Sequence, residues 1–457
     1  MSSPYHLHVI GICGVATSAI AIAFKNKGWK VTGSDKGFYP PVSTELEKNG
    51  VEFYAGWHPE KIGNPDVVII GNASGSQNPE TQYVKENNIR VLSDAEARGE
   101  YFAKKNSIVC TGTWGKTSST ALLSHIMMST GMDPSFVIGG ISLSTPGARL
   151  GGSEWSVIEG DEYKSSPWDP RPKFVHLHTT HLLLTAVSWD HADMYPTEES
   201  YFDEFKKLVV SIPPTGVIVA NKDHLGVKKV ISKAIFYGKE NADYTYHDVF
   251  QTKDGLSFTI TNKGVDFKIE SPMIGEFQAE NITGCFAMAC TIGLEPTKIV
   301  EAIKTFKGLK RRLEKRYGGQ VVIFDDIAHS PEKASSVLKN LRTIYPGKII
   351  AVFEPNIGGR QRESSHMYDN AFKDVDLVII PRLTKLKISD QKPMEGDELA
   401  KKIRQTHPNV EYIEDDQKLV EFLKSQTRTG DVIVFLGSHG FRGMIEQTIT
   451  SLRQQSL

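Results

Sequence analysis

Apolar runs of strand length alternate with helix-period segments along nearly the whole chain, and that rhythm limits the folds open to it. Residues 8–12, 30–33, 66–71, 107–112 and 156–159 read as strands. Between the first two, residues 17–27 place Ile20, Ala23 and Phe24 on one helical face. Strands covered on both sides need no polar alternation, so the pattern predicts α/β architecture with parallel sheets between helices.

A chain of 457 residues exceeds what one hydrophobic core usually serves, which predicts two to four domains. Three blocks stand out. Residues 1–104 open on a Gly-rich strand-to-helix turn and close on a charged helix near 96–105. Residues 105–309 include a more alternating stretch, 244–270, that reads as antiparallel strands. Residues 310–457 hold strands at 321–325, 348–353, 377–380 and 431–436. The first helix of this block sets Ala334, Val337, Leu338 and Leu341 on one face.

Lys plus Arg (53) nearly cancel Asp plus Glu (54), which gives no electrostatic reason to expect nucleic acid or an anionic membrane as partner. Four cysteines without a CxxC pair argue for buried free thiols over a disulfide framework or a metal site. No run approaches the roughly 18–20 apolar residues that span a bilayer. The strand-like start leaves no room for a signal peptide, so a cytoplasmic protein is expected.

The sharpest signal is Cys110-Thr111-Gly112-Thr113-Trp114-Gly115-Lys116-Thr117-Ser118, lying between an apolar strand and a helix over 119–128. In that setting glycines let backbone N–H groups turn toward phosphate oxygens, and the helix N-terminus adds positive potential. Lys116 would neutralise β- and γ-phosphates, and the Thr117 hydroxyl would join a Mg2+ shell. The longer GxxxxGK[ST] pattern wants Gly where Cys110 stands, so the match is to a shorter TGTxGKT form. A phosphate loop alone implies a nucleoside triphosphate, leaving kinase, hydrolase and ligase open.

Read with HVIGICGVATSAIA, VTGSD, VIEGDEYKSS, SWDHADMY, GEFQAENITG, KRRLEKR and DDIAHSPE, the loop resembles the Mur ligase family over nearly the full length. The likeness implies a Rossmann-like N-terminal domain (1–104), a P-loop ATPase central domain with a small antiparallel region (105–309) and a Rossmann-like C-terminal domain (310–457). It implies an ATP- and Mg2+-dependent ligase that forms an amide on UDP-N-acetylmuramate through an acyl phosphate, as a monomer or weak homodimer. GICG, FYPPVST, VIIGNASGSQNP, FVIGG and KFVH favour the murein peptide ligase branch, whose acceptor is the tripeptide L-Ala-γ-D-Glu-meso-diaminopimelate. The branch that adds L-alanine is the alternative.

The resemblance also implies roles. Gly112, Thr113, Gly115, Lys116, Thr117 and Ser118 would hold ATP phosphates, with Asn281 on the adenine side. Arg312, Asp326 and His329 would serve the nucleotide from the third block. Thr117, Glu159 and His191 would hold Mg2+, although imidazole is an uncommon ligand for so hard an ion. Lys116, Glu159 and His191 form the catalytic set. Gly11, Gly14, Val15, Asp35 and Asn72 would bind the UDP-sugar. Arg360, Arg362 and Arg442 are candidates for an acceptor carboxylate, since a guanidinium fork matches that shape. His176 and His178, two apart on a strand, would share a face.

The chain departs from the family at Trp114, Ala186, Phe277, Gln278 and Ser330, which puts fine geometry around adenine and acceptor in doubt. A folylpolyglutamate synthase relative and a non-catalytic nucleotide binder are the competing classes. The UDP-type first block argues against the former, and an intact Lys116, Thr117, Glu159 and His191 against the latter.

Overall fold

The computed structural model describes residues 5–38, 40–71, 75, 77–191, 194–356, 358–384 and 393–455. Contacts divide the chain into two compact units. The first comprises residues 1–249, 257–272 and 277–308, and the second 250–256, 273–276 and 309–457.

In the first unit, β1 (His6–Ile10), β2 (Lys30–Asp35), β3 (Glu52–Ala55), β4 (Val67–Ile70) and β5 (Val91–Ser93) make a parallel sheet in the order β3-β2-β1-β4-β5. Every residue of β1 and β4 is buried, as continuous apolar strands require. The order reverses between β1 and β4, where open α/β sheets form a crevice beyond their carboxyl ends.

The second sheet contains β6 (Asn106–Thr111), β7 (Ser135–Val137), β8 (Ala148–Arg149) and β9 (Trp155–Gly160). A separate two-stranded ribbon joins β10 (Lys164–Ser166) to β11 (Asp169–Pro172). The sheet continues through β12 (His181–Leu184), β13 (Val217–Asn221), β14 (Ile235–Gly238), β15 (Tyr244–Thr252), β16 (Gly255–Asn262) and β17 (Val265–Ser271). Its order is β17-β16-β15-β14-β13-β12-β6-β9-β7-β8, with β6 parallel to both β9 and β12. Two-residue links join β15, β16 and β17, and only antiparallel neighbours can be joined so tightly. The alternating stretch thus folds as its pattern predicts.

Two local expectations change. The charged helix begins earlier, at Asp94–Ala97, where Ser93 and Glu96 form a capping box. It then widens into a π-turn over Arg98–Phe102. Arg98 is buried and pairs with Asp94 at 2.7 Å. Gly99 lies against the carbonyl of His176, with no room for a Cβ. The second change concerns His176, which ends a 3-10 turn, Lys173–His176, and places Nε2 3.0 Å from Asp169 Oδ2. His178 has a left-handed φ of 48°, so the two histidines share no strand face. One buried cluster runs through both sheets of this unit, from Phe24 and Phe102 to Val137, Ile158 and Phe174.

The second unit is built on β18 (Glu314–Gly318), β19 (Val322–Asp326), β20 (Ile349–Glu354), β21 (Leu377–Pro381), β22 (Val410–Ile413) and β23 (Val432–Gly437), ordered β18-β19-β23-β20-β21-β22. Only β18 runs antiparallel to its neighbour. The helix Pro331–Ile344 starts on Pro with Ser330 as cap and buries Ala334, Val337, Leu338 and Leu341, the face read from the sequence. Among the described residues, no helix is long and apolar enough to cross a membrane. Cys110 and Cys285 are buried free thiols, whereas Cys13 and Cys290 are partly exposed.

Candidate active site

Strand β6 ends at Thr111, and the chain turns through Gly112 (φ 140°) and Gly115 (φ 84°) into the helix Lys116–Ser129. Both glycines sit where a side chain would collide. A Cβ on Gly112 would lie 2.5 Å from the Ala186 carbonyl oxygen, and one on Gly115 2.7 Å from Asn281 Oδ1. Asn281, distant in sequence on the helix Glu276–Thr291, is thereby brought to the loop. The Thr113 N–H donates to the Ala186 carbonyl (2.8 Å), and the Thr113 hydroxyl meets the Ser188 carbonyl (2.8 Å) and Tyr201 hydroxyl (2.9 Å). Thr113 therefore fastens the loop to the segment after β12. Ala186 does its part through the backbone, so the loop does not depend on its side chain. Ser118 lies half-buried in the first helical turn. Trp114 is exposed, its ring 5.4 Å from that of His224.

Two carboxylates from the end of β9 meet this loop. Glu159 accepts the Thr117 hydroxyl (3.0 Å) and the Gly139 N–H (2.8 Å). Glu162, only 1% exposed, receives the Lys116 ammonium at 3.0 and 3.2 Å. Burial works against the Lys116 charge, but Glu162, Asp161 and Glu159 outweigh it and hold the ammonium's pKa above the usual lysine range. Burial likewise opposes the Asp161 charge. Lys173, 2.6 Å away, and Lys116 overcome it and keep Asp161 ionised. His191 reaches the same carboxylate, with Nε2 3.7 Å from Glu162 Oε1, and its φ of 56° is left-handed. Its pKa is raised, first by Glu162, against burial, with Asp190 and Asp161 adding to the effect. The Tyr195 hydroxyl donates to the Glu162 carbonyl at 2.5 Å.

Lys116, Thr117, Glu159 and His191 thus gather at one sheet edge. Glu162, the partner of Lys116, is not among the residues expected at the site, although the acidic VIEGDE run at a strand end marks the segment. Tyr195, held against the Glu162 carbonyl, had no comparable local signal.

At the first sheet, Gly11 (φ 82°) donates to the Ser34 carbonyl, and Gly14 precedes the helix Val15–Asn26, whose first residue, Val15, is exposed. The Asp35 carboxylate accepts the Cys13 N–H at 2.8 Å, tying the turn after β1 to the end of β2. Asn72 and Asp193 lie outside the described residues.

In the second unit the adjacent arginines differ. Arg311 donates to the carbonyls of Gly437, Ser438 and His439, while Arg312 is exposed. Asp326 is buried, one oxygen taking the Leu313 N–H (2.6 Å) and the other the Ala328 N–H (2.7 Å). Burial raises its pKa, against those backbone donors and Arg312. His329 Nδ1 lies 2.7 Å from the Ile327 carbonyl. Arg360 is buried, donating to the Met394 and Thr384 carbonyls, so its guanidinium is taken up by the fold. Arg362 is exposed and pairs with Glu398, and Arg442 pairs with Asp416.

A strand–glycine turn–helix carrying Lys and Thr, faced by two strand-end carboxylates, defines a nucleotide-dependent phosphoryl-transfer centre. Residues 6–106, 110–289 and 311–439 match three domain models: "Mur ligase family, catalytic domain", "Mur ligase middle domain" and "Mur ligase, glutamate ligase domain". The chain belongs to the Mur ligase family and is an ATP-dependent, amide-forming ligase.

A UDP-N-acetylmuramate–L-alanyl-γ-D-glutamyl-meso-2,6-diaminoheptandioate ligase of Haemophilus influenzae is 32% identical over 362 residues, 77% of this chain and 79% of its own. A UDP-N-acetylmuramate–L-alanine ligase of Clostridium acetobutylicum is 28% identical over 441 residues, 94% of each chain. The solved UDP-N-acetylmuramate–alanine ligase of Thermotoga maritima shares the fold, with a TM-score of 0.81 at 20% identity over 99% of both chains.

Proposed function

We propose that this chain joins the L-alanyl amine of L-Ala-γ-D-Glu-meso-diaminopimelate to the lactyl carboxylate of UDP-N-acetylmuramate, in the cytoplasm, during recycling of cell-wall peptide. Residues 1–104 take the UDP-sugar around Gly11, Gly14, Val15 and Asp35, residues 105–309 take ATP, and residues 310–457 take the acceptor. A carboxylate oxygen attacks the γ-phosphorus as ADP leaves. The amine then attacks the acyl carbon, phosphate leaves, and the amine's proton passes to solvent.

The observation that carries the chemistry is the pairing of Lys116 with Glu162 beside Thr117 and Glu159. Two anions must meet in the first step, so positive charge has to be held at the loop. Lys116 supplies part of it, and incoming phosphate oxygens compete with Glu162 for the same ammonium. The Thr117 hydroxyl and the Glu159 carboxylate are hard oxygen donors and fit Mg2+, with His191 as the softer third candidate. When bound, the ion would neutralise phosphate charge.

The 32%-identical relative supports the peptide acceptor. The longer alignment with the Clostridium enzyme favours the second reading, L-alanine. Incubation with UDP-N-acetylmuramate, ATP, Mg2+ and either acceptor separates them. Phosphate release with the tripeptide alone is expected. Release with L-alanine alone would move the assignment to the second reading, and no turnover with either would refute both.

A further inference from the structure

Two segments of the candidate site, far apart in sequence, meet on one buried tyrosine. Glu162 follows β9 and His191 lies beyond β12, yet their side chains approach to 3.7 Å. Neither residue is part of a strand, so sheet pairing does not set that distance. Tyr195 reaches both. Its hydroxyl donates to the Glu162 carbonyl at 2.5 Å, and its N–H donates to the His191 carbonyl at 2.8 Å. The Met194 N–H converges on the same His191 carbonyl, also at 2.8 Å. His191 keeps a left-handed φ of 56°, which a residue with a side chain holds only where its surroundings impose it. From the other side, the Trp189 indole N–H donates to the Tyr195 carbonyl at 2.9 Å.

The ring of Tyr195 is braced in its turn. It packs edge-on against Tyr201, with centroids 5.1 Å apart, and Tyr201 is buried on the helix Glu198–Ser211. The Thr113 hydroxyl gives its one proton to the Ser188 carbonyl, so the Tyr201 hydroxyl is the donor in their 2.9 Å contact. Two phenols therefore join the phosphate loop, the acidic segment after β9 and the turn at His191.

We infer that Tyr195 is a positioning residue for phosphoryl transfer, holding the Glu162 carboxylate between Lys116 and His191 through the main chain of both segments. The inference rests on the ligase reading above, in which phosphate oxygens take the Lys116 ammonium over from Glu162. For that exchange the carboxylate has to stay where it is. Anchored at its own carbonyl, Glu162 does so. Released, its main chain is free to shift, and the carboxylate can follow the ammonium or swing toward His191. A misplacement of about 1 Å in such a site costs on the order of 100-fold in rate. The loss of one hydroxyl, by contrast, leaves the ring packing and the phosphate loop in place.

Tyr195→Phe tests this on the full chain, since it removes the hydroxyl and keeps the ring against Tyr201. With UDP-N-acetylmuramate, Mg2+ and the acceptor that the unaltered chain uses, the single-turnover rate of ATP cleavage should fall at least tenfold. The Kd for ATP should stay within about twofold. Tyr195→p-aminophenylalanine, whose N–H reaches toward the Glu162 carbonyl, should restore at least half of the rate. A fall of less than tenfold would overturn the inference. So would an equal loss of ATP affinity, or a rate that p-aminophenylalanine fails to restore, because either marks a tyrosine that only supports packing. If Tyr195→Phe does not fold, Trp189→Phe decides, because that side chain is 47% exposed and loosens Tyr195 from outside. It should lower the rate at least threefold at constant Kd, and a smaller fall would overturn the inference. Amide exchange separates this inference from the reading beneath it. In Tyr195→Phe the amides of residues 194 and 195 should exchange at least fivefold faster, and unchanged exchange would overturn the anchor whatever the turnover. Faster exchange in a chain that turns over no acceptor would leave the anchor standing and refute the ligase reading.

Discussion

Lys116 and Glu162 form a buried ion pair at the phosphate loop, with the ammonium 3.0 and 3.2 Å from the two carboxylate oxygens. Breaking such a pair on one side leaves an unpaired buried charge, at a cost of about 3–5 kcal/mol. Lys116→Ala should therefore abolish phosphate release and also lower the melting temperature. Adding Glu162→Gln should recover most of the melting temperature and none of the turnover. Full activity in Lys116→Ala would refute the phosphate-loop assignment.

Gly112 has a φ of 140° and faces the backbone of Ala186, which no side-chain rotation can move aside. Gly112→Ala should raise the KM for ATP at least tenfold. Gly131 (φ 88°) provides the control, because a Cβ there meets nothing within 4 Å. Gly131→Ala should cost about 1 kcal/mol in urea unfolding from backbone strain, with the KM for ATP unchanged.

The arginine pair should separate by assay. Arg311 holds three consecutive carbonyls of the segment after β23, so Arg311→Ala should lower the melting temperature by several degrees. Arg312 is exposed, and Arg312→Ala should leave the melting temperature within about a degree while weakening ATP binding. The opposite pattern, read by thermal scanning and ATP titration, would exchange the two roles.

Burial, reinforced by His6, pushes the pKa of His8 down to about 3. An unfolded histidine titrates near 6.5, so between those values the unfolded chain binds the proton and the folded chain does not. Stability from this group is complete above about pH 6.5 and is lost as pH falls toward 3, with a slope of up to about 1.4 kcal/mol per pH unit. His8→Gln should flatten the pH dependence of urea unfolding between pH 6.5 and 4.5 by roughly that slope. An unchanged slope would show that His8 already titrates normally in the folded chain.

What the sequence made legible was whatever depends on near neighbours. The strand–loop–helix around Lys116 could be read because glycine conformations and the Lys-Thr pair are set within a few residues. The apolar face of Pro331–Ile344 was equally plain. Asn281 came to the loop only by resemblance, because nothing local shows that its helix packs against Gly115. Arg360 looked like a free guanidinium, and only the carbonyls of Thr384 and Met394, more than 20 residues away, reveal that it is spoken for. Glu162 was hidden differently. Its acidic segment stands out in the sequence, but sequence gives no means of telling which acid turns inward.

The close seat of Gly99 on the His176 carbonyl bears on how this enzyme can be recombined. A crossover near residue 104 looks natural, since a new sheet begins there. It would still separate Arg98–Phe102 from the 3-10 turn that shapes it, and replace Gly99 by whatever a donor sequence carries. Any donor residue larger than glycine would place its Cβ 2.1 Å from the His176 carbonyl oxygen, so one of the two turns would have to give way. Chimeras of this chain should therefore exchange residues 1–104 together with the Lys173–His176 turn, so that both halves of the contact come from one parent.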